Sequence, residues 1–346
     1  MSGEILQGEI HEQPAVLERM LDIEFGPVAQ VAAALKGRFE YVIIAARGTS
    51  DNAARYAQYL LGIRNRTPVG LATPSIFTIY QSPPHLADAL VIGISQSGQV
   101  PDVISVLEHA RGEGRPTLAI TNDRHSPLAE TAEHVIELHA GQEKAVAATK
   151  TYTASLAGIA MLSAALSGDG DMMDQLRGIP GKMRRVIQEA SQQLPRVERF
   201  RYVEHLAVIG RGFNYASAFE IALKIQELTS IVAEPYSSAD FLHGPIAMLR
   251  RGFPVFLIAP RGGVSEDMRA LAGKLRKMMA ELVVISNDER ILPFGSLTFA
   301  LPSDLPEWLS PLVSVIPGQL FGLELARAKG LDPDQPEGLS KVTKTW

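Results

Sequence analysis

Glu220, Lys224 and Glu227 fall at i, i+4 and i+7 in FEIALKIQELT, so a helix would carry them on one face. A positioned carboxylate can act as a general base. Taken alone, the same row is an exposed ion-pair ladder. His243 follows in a His-Gly-Pro turn. Imidazole exchanges protons near neutrality, although a lone loop histidine also serves structure. Two loops carry the small hydroxyl residues and glycines that cradle a phosphate with N–H groups at a helix start. They are Arg47-Gly48-Thr49-Ser50 and Ser95-Gln96-Ser97-Gly98-Gln99, the second followed by Val100 and by Pro101, a favoured first-turn residue. Either loop alone reads as a helix cap, and two on neighbouring strands favour phosphate. Lys150, after Ala148-Thr149, and Lys341, near the C-terminus, are amines that singly read as surface or tail charges.

Several chemistries are excluded. There is no Walker loop, and Gly210-Arg211-Gly212 lacks a third glycine because Tyr215 takes its place, so a sugar phosphate is favoured over a dinucleotide. The eight histidines show no metal-binding spacing, and neither a metal nor a cofactor is expected. With no cysteine there is no disulfide, thiolate site or cysteine nucleophile. A net charge of -5 without a long basic run gives no generic attraction to nucleic acid or membrane, so the expected partner is a small molecule. The opening MSGEILQGEIHEQP has no apolar core of a secretory signal, and the mature protein is expected to begin there, in a cytoplasmic setting. The apolar stretch Tyr152 to Leu166 falls short of the roughly 18 residues that span a bilayer and is expected to be a buried core helix.

The elements that must position these residues repeat. In the first half, apolar runs at Tyr41–Ala46, Ala89–Ile94 and Thr117–Thr121 alternate with helical periods at Asp51–Leu61 and Pro101–Arg111. In the second, His205–Ile209, Pro254–Ala259 and Leu282–Ser286 alternate with Ser217–Thr229 and Glu266–Ala280. Such alternation predicts βαβ units and parallel sheets covered on both faces. The expected fold is therefore α/β, with two tandem doubly wound domains of flavodoxin-like, three-layer form. Their expected bounds are 35–165 and 195–330. A helical segment, 1–34, precedes them, a helical linker, 166–194, joins them, and a tail, 331–346, carries Lys341. The SGDGD run at Ser167–Asp171 looks like the interdomain turn.

Assembled, these residues resemble the sugar isomerase (SIS) family, in particular the isomerase half of glucosamine-6-phosphate synthase and its free-standing relatives. The resemblance covers nearly the whole chain. It runs from Glu9-Ile10-His11-Glu12-Gln13-Pro14 through RGTS, SQSG, Ala145–Lys150 (AVAATK), the Glu220 helix and HGP to Asp334-Gln335-Pro336 and Ser340-Lys341.

The resemblance implies roles position by position. Ser50, Ser95, Gln96 and Ser97 would hold the 6-phosphate and neighbouring hydroxyls, with Gly48, Thr49, Val100, Ala147 and Ser340 also at the substrate and Val146 touching it through its backbone. Glu227 would move the proton between C1 and C2 of the open-chain sugar, and His243 would open the ring. Lys341 would form a Schiff base, which requires the tail to be ordered, while Glu220 and Lys224 support Glu227. The family also implies a homodimer in which the histidine of one subunit reaches the sugar held by the other.

Two departures bear on function. Where the synthase pattern continues after SQSG with an acidic residue and a phosphate-binding threonine, this chain has Gln99 and Val100. A chain without cysteine also cannot supply the glutaminase nucleophile. The expected activity is therefore a glucosamine-6-phosphate deaminase, giving fructose 6-phosphate and ammonia. The alternatives are synthesis in the opposite direction with ammonia or a separate glutaminase, a fructosamine-phosphate deglycase, and a non-catalytic sugar-phosphate sensor.

Overall fold

The computed structural model describes residues 2–341. The N-terminal segment is one helix, α1 (Glu4–Leu35). The first half continues with β1 (Tyr41–Ala45), α2 (Thr49–Arg64), β2 (Val69–Leu71), α3 (Ser75–Thr78), β3 (Ala89–Ile94), α4 (Pro101–Gly112), β4 (Thr117–Thr121), α5 (Pro127–Thr131), β5 (His134–Glu137), α6 (Lys150–Ser167) and α7 (Gly170–Arg177). The second half holds α8 (Ile179–Ser191), β6 (His205–Gly210), α9 (Asn214–Thr229), β7 (Val232–Ser237), α10 (Ser238–Leu242), β8 (Pro254–Ile258), α11 (Ser265–Lys277), β9 (Glu281–Ser286), β10 (Leu297–Ala300) and α12 (Ser310–Lys329).

Each half forms a five-stranded parallel sheet, in the orders β2-β1-β3-β4-β5 and β10-β9-β8-β6-β7. Counted from the first strand of each half, both are the flavodoxin-like order 2-1-3-4-5, so the chain repeats one topology. Strands β3, β4 and β8 are buried along their whole length, as expected of apolar runs covered on both faces. The edge strands β2, β5, β7 and β10 are partly exposed, and none was among the apolar runs picked out above.

The chain divides into two compact units. One holds the first sheet and comprises Ala15–Glu143, Lys150–Gly178 and the tail from Ser340; the other holds the second sheet and comprises the residues up to Pro14, Lys144–Thr149 and Ile179–Leu339. The division falls at Gly178, whereas the SGDGD turn lies inside the first unit. The cause is local: Asp169 caps α7 by accepting from the N–H groups of Asp171 and Met172. Met172 and Leu176 are then buried, packing α7 back onto α6.

Within the first unit, α6 is buried from Lys150 to Ala164, the core helix expected of that stretch. It is tied to α2 by reciprocal hydrogen bonds between Asn65 and Ser163. In the second unit, α12 packs against α8 and α9. Gly318 permits the close approach to α9, since a Cβ there would lie 2.4 Å from Cγ1 of Ile221. The stretch Glu307–Lys329 is long and apolar enough to cross a membrane, but 94% of its apolar window is buried, which makes it a core helix. The tail runs without helix or strand to Lys341, and Val342–Trp346, the end of the tail expected to be ordered, lie outside the described residues.

Candidate active site

In the first unit a cleft of 910 Å³ is lined by Gln96, Ser97 and Gln99 after β3, by Asn122 and Asp123 after β4, and by Glu143 and Lys341. Gly98 dictates the shape of the loop after β3. Its φ is +61°, and a Cβ there would lie 2.1 Å from Oγ of Ser126. The Gly98 N–H donates to the carbonyl (3.2 Å) and hydroxyl (3.1 Å) of Ser95, and the Gln99 N–H donates to Oγ of Ser97 (3.3 Å). Ser95 is therefore buried and engaged in closing the loop, whereas Gln96 and Ser97 are half-buried on the cleft wall. Asn122 fixes the opposite wall by donating to the carbonyl of Gly141 and accepting from the N–H of Ala140.

Lys341 enters this cleft through a carboxylate. Its Nζ donates to Oε2 of Glu143 at 2.7 Å. The Glu143 side chain is fully buried and also accepts from the N–H (3.1 Å) and hydroxyl (2.7 Å) of Thr151. A buried carboxylate held by several donors is a fixed anchor for an ammonium group. Lys150, expected at the surface, is buried instead, because its Nζ reaches back to the carbonyl of Gln142.

The loop after β1 is placed differently. Arg47 and Gly48 line a separate hollow of 320 Å³ with Asp51, Arg55 and Thr73, not the cleft. Arg47 donates through Nε (2.8 Å) and Nη2 (2.5 Å) to Oδ2 of the buried Asp102, tying this loop to the start of α4. Thr49 and Ser50 are half-buried in the first turn of α2. On the same helix, burial pushes the Tyr56 phenol far above its ordinary value, so it packs as a neutral group. Val100 is half-buried and packs against the apolar core of the first sheet.

In the second unit, α9 carries the charged row. Nζ of Lys224 lies 3.4 Å from Oε1 of Glu220 and 2.5 Å from Oε2 of Glu227. Glu220 and Lys224 are 0% and 1% exposed, and Glu227 is 22% exposed. The exposed-ladder reading is thus corrected: α9 packs against α12, β6 and β7, which turns the row inward and leaves Glu227 as its most accessible member. His243 is exposed at the end of α10, its backbone N–H donating to the carbonyl of Asp240. Val146 is half-buried and Ala147 buried, while Ser340 is exposed.

Sequence reasoning named Glu9 and Gln13 within a motif but gave no role to them, and they hold these segments. The buried Glu9 accepts from the backbone N–H groups of Lys144 (2.5 Å) and Ala145 (3.2 Å), fixing the start of AVAATK. Gln13 donates to Oε1 of Gln319. Glu9 and Gln13 lie four positions apart and are buried with Leu6, Ile10 and Leu17, a placement the sequence pattern did not disclose. The fold also gathers Glu24, Glu137 and His139, whose polar atoms lie within 4.8 Å of one another, a set that no sequence spacing disclosed. Nε2 of His139 sits 2.6 Å from Glu24, its Nδ1 3.8 Å from Glu137, and Arg124 3.8 Å from Glu137, so these carboxylates have partners within the protein.

The family model described as the SIS domain matches residues 40–165 and 200–327. A glutamine–fructose-6-phosphate aminotransferase (isomerizing) of Methanothermobacter thermautotrophicus is 33% identical over 335 residues, covering 96% of this chain and 56% of that protein. The chain thus spans about half the length of the curated relatives it matches. A solved structure from Silicibacter pomeroyi DSS-3, assigned as a phosphosugar isomerase, is 31% identical with a TM-score of 0.86, covering 96% of this chain and all of that one. The glucosamine-6-phosphate deaminase of Thermotoga maritima, at 20% identity, shares the fold with a TM-score of 0.80 over 99% of this chain and 100% of that one.

Proposed function

The chain belongs to the SIS domain family, with two tandem copies of the domain, and from that premise we propose that it is an amino-sugar phosphate deaminase/isomerase converting glucosamine 6-phosphate and water to fructose 6-phosphate and ammonia. The observation that carries the proposal is the α9 row. Lys224 and Glu220 are held out of water beside a carboxylate that solvent still reaches. Burying two charges is costly and is a poor way to gain stability, but it fixes a neighbouring proton carrier well.

His243 opens the ring, and Glu227 removes the proton from C2 of the open-chain aldose and returns it to C1. The product of that transfer is an imine at C2. Water adds there and ammonia leaves, giving the ketose. Once its ammonium loses a proton, Lys341 condenses with the C2 carbonyl to a Schiff base with loss of water; its Nζ lies 2.7 Å from Oε2 of Glu143, which supports Glu143 as the proton acceptor. Gln96 and Ser97, on the wall of the cleft, hold the phosphate end. Val100 offers no hydroxyl there, which supports a function apart from the synthase.

The resemblance to aminotransferases favours one second reading, the same proton transfer run from fructose 6-phosphate and ammonia toward the amino sugar. The exposed His243 supports the family's shared-site homodimer. Mixed His243→Ala and Glu227→Ala chains should then recover part of the activity that neither has alone, and mixed dimers without activity would refute sharing. Ammonia release from glucosamine 6-phosphate by the purified protein tests the proposed direction. Release is expected; activity with fructose 6-phosphate and ammonia alone would establish the second reading instead.

A further inference from the structure

In a parallel sheet of order 2-1-3-4-5, the connections from β1 and β3 leave in opposite directions, and a crevice opens between them. These strands are neighbours in the first sheet, with Ala45 level with Gly93, so the loops that begin near Arg47 and Ser95 flank that crevice. One side chain spans it. Nε (2.8 Å) and Nη2 (2.5 Å) of Arg47 donate to the same oxygen, Oδ2 of Asp102, in the first turn of α4. The Asp102 side chain is 0% exposed and that of Arg47 46% exposed. A carboxylate at this place gains from the helix dipole, and a guanidinium offers it two N–H groups in a fixed fork, where an ammonium is a single point of charge.

The loop from Ser95 to Val100 hangs between this pair and a second fastening. On the β4 side, the Gln96 carbonyl accepts from the Asn122 N–H (3.2 Å) and the Gly98 carbonyl from the Leu128 N–H (3.0 Å). On the α4 side the chain passes through Val100 and Pro101 to Asp102, five residues beyond Ser97. Arg47 is itself held, since its carbonyl accepts from the Ser50 N–H at 3.1 Å. All of these groups belong to the first unit.

We propose that Arg47 is a positioning residue: by holding Asp102 it fixes the start of α4, and with it the placement of Gln96 and Ser97 on the cleft wall. The inference rests on the reading that these two side chains hold the phosphate end. Arg47, which lines a hollow apart from the cleft, then takes part in binding through Asp102.

The test compares the full-length protein with Arg47→Met, Asp102→Asn, the double variant and Arg47→Lys, after checking each melting temperature. Asp102→Asn and the double variant leave no buried carboxylate without its cation, so they carry the test if Arg47→Met does not fold. One readout is hydrogen exchange in the peptide spanning Ser95–Val100, with a β8 peptide as internal reference. The other is the Kd for fructose 6-phosphate, together with KM and kcat for glucosamine 6-phosphate. In Arg47→Met, loop exchange should quicken about tenfold with β8 unchanged. Kd and KM should rise about tenfold while kcat changes less than about threefold. The double variant should lose no more than Arg47→Met, because the two residues act as one unit, and Arg47→Lys should recover part of the loss. Loop exchange at the wild-type rate in the folded variants overturns the proposal. Weakened binding without quickened exchange overturns it too, and makes Arg47 a direct ligand of the phosphate. Quickened exchange with an unchanged Kd upholds the positioning of the loop and removes Gln96 and Ser97 from the phosphate. If the wild type binds no fructose 6-phosphate, the reading of the cleft falls, and loop exchange alone decides whether Arg47 positions it.

Discussion

The two sheets share one strand order but treat their equivalent loops in opposite ways. After β3 in the first unit, the loop into α4 satisfies its N–H groups with its own Ser95 and Ser97, and turns Gln96, Ser97 and Gln99 toward a cleft. After β8 in the second unit, the corresponding loop into α11 is Arg261-Gly262-Gly263-Val264. There the Gly263 N–H donates to Oε2 of Glu307 at 2.9 Å, and a Cβ on Gly262 would lie 2.0 Å from the Glu307 carboxyl carbon. A carboxylate of the chain itself occupies the position where the first sheet leaves room for a ligand. Duplication thus supplied two switch-point loops of the kind that bind anions. The first borders an open cleft, and the second is filled by the Glu307 carboxylate.

The largest effect should come from the helix that distinguishes the second unit. Lys224→Met leaves the buried Glu220 and its neighbour Glu227 facing a thioether, and removing one partner of a buried charge cluster costs about 3–5 kcal/mol. Chemical denaturation measures this; a loss below about 1 kcal/mol, the range of surface pairs, would mean the row is not buried. Next is the open loop. Gly98→Ala places a methyl group against Ser126 at a φ of +61°, at a cost of about 1–3 kcal/mol and with weakened phosphosugar binding. Binding at wild-type affinity would show that the loop does not shape the cleft. The smallest effect is at the filled loop. Glu307→Ala should cost about 1 kcal/mol and should make the protein's melting temperature rise with added inorganic phosphate. No phosphate response would show that this loop is not a masked anion cradle.

The central strands were legible because both of their faces are buried, so they read as unbroken apolar runs. The edge strands β2, β5, β7 and β10 escaped because their partly exposed residues carry no such run. Local patterns disclosed Gln96, Ser97 and the spacing of Glu220, Lys224 and Glu227. They did not disclose burial, which depends on α12, some ninety residues later, packing over α9. The supporting groups were illegible for the same reason: Glu143 meets Lys341 and Asp334 meets Gly3 across 198 and 331 residues of sequence. No periodicity within a short window contains such pairs.

Glu227 is proposed to carry the proton between C1 and C2. Deuterium incorporation into fructose 6-phosphate in heavy water, followed by NMR, tests it without depending on ammonia or on the direction of the overall reaction. The wild type should exchange a C1 hydrogen, and Glu227→Gln, folded to the same melting temperature, should exchange it about 10²- to 10⁴-fold more slowly. Exchange by Glu227→Gln at the wild-type rate would contradict the account and assign the proton transfer to another group.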